Sequence, residues 1–203
     1  DGTYTARLSV GGVSARRTGA FAGRFDGGAT LPIDFEWSQT VRDGLAAREL
    51  DRAGDRGALR PMDLSGVPQA RAPAVQELPG SVLGTGRSDD AKLVATVLPA
   101  ASAERFTDGV PYLAVSARTP YNRLVLPSMA LSVTVSRDGT PVFAGELERT
   151  LDPALGYHYG AAVPPGVEDG DALALTVDTP PQLARHEGYE RAFLEMDPVT
   201  ITA

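Results

Sequence analysis

The chain has 203 residues, of which 42% are hydrophobic, a formal charge of −7 and no cysteine. The missing cysteines exclude disulfides, thiol nucleophiles and thiolate zinc sites. The acidic charge is spread rather than blocked, which argues against a nucleic-acid footprint or attraction to an anionic membrane, and no apolar run approaches the roughly 18 residues of a membrane span.

With 22 Gly and 16 Pro the chain is rich in turns, which leans all-β. Of the 19 basic residues only Lys92 is a lysine, a compositional bias that identifies no partner. The chain opens at Asp1 without a methionine, so it reads as a processed or truncated product, and any export signal is expected to lie upstream.

Residues 1–40 read as strand, loop, strand. Tyr4, Ala6, Leu8 and Val10 alternate with polar or small residues, as do Leu31, Ile33 and Phe35 before Trp37. A Gly- and Arg-rich loop is expected from Gly11 to Gly28. Residues 41–90 read as a Pro/Gly-rich linker, with one short helix within Val41–Arg56.

From 91 to 203 the strand signals are dense. Lys92–Leu98, Tyr112–Ala117, Ala130–Ser136, Pro141–Arg149, Ala172–Asp178 and Pro198–Ala203 are short runs bounded by turn residues. Arg137-Asp138-Gly139-Thr140 predicts a two-residue hairpin, since Asp-Gly tolerates positive φ. The expected fold is all-β, an immunoglobulin-like antiparallel β-sandwich over 91–203.

A shift of 169 residues aligns Tyr4, Ala6 and Leu8 with Leu173, Leu175 and Val177, and Ala15-Arg16-Arg17-Thr18-Gly19 with Ala184-Arg185-His186-Glu187-Gly188. One residue of slip then aligns Leu31, Ile33 and Phe35 with Val199, Ile201 and Ala203. Strand, Ala-Arg loop and returning strand recur in one order, so residues 1–40 read as the C-terminal part of a preceding β-sandwich repeat.

The two histidines are His158, in Gly156-Tyr157-His158-Tyr159-Gly160, and His186, in Ala184-Arg185-His186-Glu187-Gly188. Each follows a strand-like run, and imidazole is the commonest metal ligand. They are a candidate metal pair, against the alternative of two unrelated loop histidines. Tyr157 and Tyr159 flank His158, one expected in the core and the other at the surface. Met129 opens an apolar strand and is expected in the core rather than on copper. Glu146 and Glu148 suit a solvated sheet face better than an acid–base pair.

Val110-Pro111-Tyr112-Leu113-Ala114-Val115, the Gly-Tyr-His-Tyr-Gly motif, and Thr179-Pro180-Pro181 with Arg185-His186 together resemble the periplasmic iron-transport protein family. Its members are immunoglobulin-like sandwiches of iron-uptake systems that bind copper or iron and are often dimeric. Ser14–Gly19 and Arg118–Asn122 are similar to archaeal proteins that string such domains together.

The resemblance implies that His158 and His186 ligate a metal. It also implies that Leu151 stands where the family has a methionine, Lys92 where it has a histidine, and Val94 where it has a carboxylate. Arg17 stands at the histidine position of the N-terminal copy. A partly degenerate site with weak affinity for copper or iron, or for zinc, follows.

The expected function is therefore a non-enzymatic, extracytoplasmic metal-binding module of an iron or copper uptake system. Its expected partners are a second copy, forming a homodimer, and a membrane iron permease or other uptake components, with no nucleic acid. The alternative is a cell-surface structural or interaction β-sandwich that no longer binds metal.

Overall fold

The computed structural model describes residues 2–17, 23–40, 66, 69–183 and 192–203. Among the described residues there are ten strands: β1 (Gly2–Arg17), β2 (Gly23–Trp37), β3 (Ser81–Ser88), β4 (Ala91–Leu98), β5 (Tyr112–Arg118), β6 (Ala130–Arg137), β7 (Thr140–Asp152), β8 (Gly156–Ala162), β9 (Ala172–Thr179) and β10 (Val199–Thr202). The only helices in the sandwich's described residues are a 3-10 turn at Val75–Glu77 and a single turn at Ala100–Ala103.

The hydrogen-bonded order β10-β9-β6-β7-β8-β5-β4-β3 wraps into two layers, because β7 belongs to both. Its first half, Thr140–Leu147, pairs with β6, whereas Glu148–Asp152 pairs with β8. One layer is thus β10-β9-β6-β7 and the other β7-β8-β5-β4-β3. This is the β-sandwich expected from the turn spacing. The β6–β7 connection is the expected tight hairpin, with Asp138 at φ 49 and Gly139 at φ 76.

Alternation explains the core. Leu131, Val133 and Val135 of β6, Leu173 and Leu175 of β9, and Val199 and Ile201 of β10 face Leu93, Leu113, Val115 and Tyr159 of the other layer. Met129 is 1% exposed in this core, as its place before an apolar strand implies. On β6 buried and half-buried residues alternate, so its other face is partly solvated. Strand β5 is different, being buried at all seven positions. The outer face of its sheet is covered by a second cluster, including Val94, Leu98, Phe106, Tyr112 and Leu155.

The structure corrects the linker boundary. Ser81–Ser88, within the expected linker 41–90, is a strand paired along β4, so the sandwich begins before residue 91. Glycines hid it, and tertiary contact explains them. A Cβ on Gly84 would lie 2.5 Å from Ile201 Cγ2, and one on Gly86 would lie 1.9 Å from Val199 Cγ1. The two layers approach closely where β3 meets β10. Gly86→Ala is expected to destabilise the fold by about 1–3 kcal/mol through overpacking, read from the shift in urea midpoint. A neutral result would mean that β10 is free to move away. The expected helix within 41–56 lies outside the described residues.

The loop expected from Gly11 to Gly28 is also shortened. β1 and β2 pair antiparallel from Gly2↔Trp37 to Arg17↔Gly23, with one register irregularity between Val10 and Val13. Ala15–Arg17 then add in parallel to Arg149–Leu151 of β7. In the proposed second copy, β9 and β10 pair antiparallel with Leu173↔Ile201 and Leu175↔Val199. The N-terminal pair has Ala6↔Ile33 where the aligned residues are Leu175 and Ile201, a register difference of two that keeps the same residues on one face.

Candidate metal centre

His158 sits in the middle of β8 rather than in a loop beyond a strand. Its cross-strand partner is Thr150 of β7, which places it on the outer face of the five-strand layer. Tyr157 and Tyr159 therefore share the opposite, inner face, because side chains alternate with a period of two. The expectation that one tyrosine lies in the core and the other at the surface is corrected. Their rings meet edge to face with centroids 5.5 Å apart. Tyr157 Oη accepts from Ser128 N at 3.2 Å, while Tyr159 Oη accepts from Met129 N at 3.0 Å and donates to Leu126 O at 2.7 Å. Their work is to anchor the segment that enters β6.

The imidazole of His158 is 1% exposed and held at both nitrogens. Nδ1 lies 2.9 Å from Gly156 O, which can only accept, so Nδ1 carries the proton. Nε2 is then the acceptor, 3.2 Å from the Tyr112 hydroxyl, which donates to it. Thr150 Oγ1 lies 3.4 Å from that hydroxyl and 3.2 Å from Glu148 O. Phe106 stacks on Tyr112 with centroids 4.2 Å apart and meets His158 edge-on at 5.7 Å. Burial in this aromatic cage pushes the His158 pKa down to about 4, against the smaller raising effects of the Gly156 hydrogen bond and Asp152. At neutral pH the ring is uncharged.

Beside it, Asp152 is 2% exposed and receives Arg105 Nε at 2.7 Å and Nη2 at 3.3 Å. Its Oδ1 also accepts from the backbone amides of Ala154 and Leu155, both at 2.9 Å, closing the β7–β8 turn. The guanidinium of Arg105 lies 4.5 Å from the Phe106 ring centre. Together with Thr96, Ser116, Arg118 and Thr150, His158 and Asp152 make a buried polar layer on a sheet face that is usually solvated or apolar.

The other implied metal positions are scattered. Leu151 pairs with Tyr157, so it points to the face opposite His158, and a methionine there would not share its site. Val94 is fully buried in the apolar cluster around Leu98 and Tyr112, and Lys92 pairs with Arg118. Neither Glu146 nor Glu148 faces His158 as a register partner; they pair with Ser132 and Gly160. His186 and Glu187 lie outside the described residues. Among the described residues, no group of three or more His, Asp or Glu side chains is placed to hold an ion. Tyr112, Thr150 and Asp152 were missed as partners of His158. Tyr112 is in a quoted motif, but only strand pairing brings it to the imidazole.

The model of the family described as "Domain of unknown function (DUF7350)" matches residues 76–202, and the chain belongs to that family. No curated protein matches it. Among solved structures it is similar to a copper-bound variant of FetP from uropathogenic Escherichia coli, at 14% identity and a TM-score of 0.44, covering 60% of this chain and 93% of that one. It is also similar to "as isolated" FetP of the same organism, recombinantly expressed in the periplasm of E. coli, at 14% identity and a TM-score of 0.45, covering 59% of this chain and 91% of that one.

Proposed function

We propose that this member of the DUF7350 family is an extracytoplasmic, non-catalytic β-sandwich module of a metal-uptake or cell-surface system, acting through protein contacts rather than by holding an ion. One observation carries this reading: both nitrogens of His158 are already engaged, by Gly156 O and the Tyr112 hydroxyl, inside an aromatic cage. To ligate a metal, Nε2 would have to give up Tyr112, and the cage would have to open. The same engagement removes His158 as a general base, since its lone acceptor is occupied.

Partners on this reading are a second copy of the chain or membrane components of an uptake system. The runner-up, a weak copper- or iron-holding module, draws on the motif order that His158 shares with His186.

Copper(II) titration of chelator-free protein by calorimetry separates the two. The expected result is no saturable binding below about 100 μM, where true multi-imidazole sites bind far more tightly. Saturable micromolar binding lost in His186→Ala would replace this reading with the metal module. His158→Gln checks the result from the other side, since it keeps a buried donor and acceptor.

A further inference from the structure

One edge of β7 changes partner along its length. Up to Leu147 that edge pairs with β6, and at Arg149–Leu151 it pairs in parallel with Ala15–Arg17 of β1. The opposite edge there belongs to β8. A bare strand edge is a row of unmet amides and carbonyls that recruits a further strand. Strand β1 fills that place with the last three of its 16 residues. Among the described residues this is the one ladder between the β1–β2 pair and the sandwich.

The ladder sits at the Arg17↔Gly23 end of that pair. The other end, Gly2↔Trp37, lies roughly 40 Å away along β1 at the usual strand rise. Over that length the register sets positions Tyr4, Ala6 and Leu8 opposite Phe35, Ile33 and Leu31, so one face is apolar throughout. The other face carries Thr3, Thr5, Arg7, Asp34 and Glu36, with Thr5 Oγ1 donating to Asp34 Oδ1 at 2.7 Å. On the apolar face Tyr4, Ile33 and Trp37 are 49%, 46% and 39% exposed. An isolated two-stranded hairpin with such a face is marginal in water. Charge is sorted in the same sense. Between Ala15 and Phe25 the charged residues are Arg16, Arg17 and Arg24, in a chain of net charge −7, and Glu146 and Glu148 immediately precede the acceptor residues on β7.

We propose that the β1–β2 pair is an exchangeable arm and Arg149–Leu151 of β7 its acceptor edge, so that two copies of the chain each seat the Arg17 end of the arm on the other's β7. The proposal rests on the reading above in which a second copy is a partner, and it names the contact. An exchanged pair keeps the ladder that one chain makes with itself, so the exchange costs nothing there. The gain lies along the shaft. Two arms running antiparallel about a two-fold axis bring their apolar faces together, burying surface that a single chain exposes at Tyr4, Ile33 and Trp37.

The test uses the full 203-residue chain, whose lack of cysteine leaves introduced thiols as the only ones. Arg17 and Leu151 are register partners, which puts cysteines at these positions within disulfide reach. Arg17→Cys and Leu151→Cys proteins, mixed, refolded together and oxidised, should give a covalent dimer joining the two variants, in excess of the self-linked dimer each forms alone. Closure of the double variant within one chain, with no mixed dimer from the single variants, would overturn the exchange. Sedimentation equilibrium gives a second reading. Wild type should dimerise, and the dimer should be at least about tenfold weaker in Arg16→Pro, which breaks strand pairing in the middle of the ladder. Ile33→Asp, which sets a charge on the apolar face, should weaken it to a similar degree. A monomeric wild type, or unchanged dimer affinity in either variant, would overturn the exchange as well. The copper titration judges the protein-contact reading separately, so a chain that neither binds copper nor dimerises keeps that reading and loses only the exchange.

Discussion

Acidification from pH 7 to pH 4 is expected to remove about 3 kcal/mol of stability through His158 alone. The folded-state pKa of about 4 lies below the usual 6.5 because burial disfavours the imidazolium. Between those values the unfolded chain binds the proton and the folded chain does not, so stability rises with pH. The contribution is complete above about pH 6.5 and is lost as pH falls toward 4. Asp171 acts in a separate window. Its hydrogen bonds from Arg137 hold its carboxyl below the usual range, so its contribution persists until pH falls below the ordinary carboxylate value. Urea denaturation at half-unit intervals from pH 4 to 7 should show the slope in wild type and a flatter profile in His158→Gln. Parallel profiles for the two proteins would mean that His158 is more open to water than this cage allows.

Gly160→Ala is expected to cost about 3 kcal/mol or more, at the upper end of overpacking effects. The added Cβ would fall 2.1 Å from Tyr112 Oη, 2.3 Å from its Cζ and 2.7 Å from Leu113 O. Tyr112 cannot swing aside, since Phe106 is stacked on its ring and the side chain is 1% exposed. Any shift that made room would also break its hydrogen bond to His158. Tyr112→Leu should relieve most of the clash, so the double variant should be less destabilised than the sum of the singles by about 1–2 kcal/mol. Chemical denaturation of the four proteins in the cycle reads this directly. A Gly160→Ala protein within 1 kcal/mol of wild type would show that β5 and β8 are not packed this closely.

Local chemistry in the chain was enough to determine the sandwich. Alternation in β6, β9 and β10 specifies which residues face inward, because a strand side chain must point to one face or the other. Asp138-Gly139 specifies its own hairpin, since only such residues take positive φ at both central positions cheaply. Strand β3 was hidden because its interior side is built from Gly84 and Gly86. Their reason is the bulk of Val199 and Ile201, more than a hundred residues later.

The same holds for the site. The sequence singled out His158, but whether an imidazole is a ligand or a core residue depends on what its nitrogens meet. That was decided by the pairing of β5 and β7 with β8, which brings Tyr112 and Thr150 to it. It was decided also by the Ala100–Ala103 turn and Phe106, which cover a sheet face that sequence alternation alone would have left to solvent. Local residues determine strands and turns because those energies act between neighbours in the chain. Burial and protonation state are properties of distant segments brought together, and only the tertiary structure fixes them.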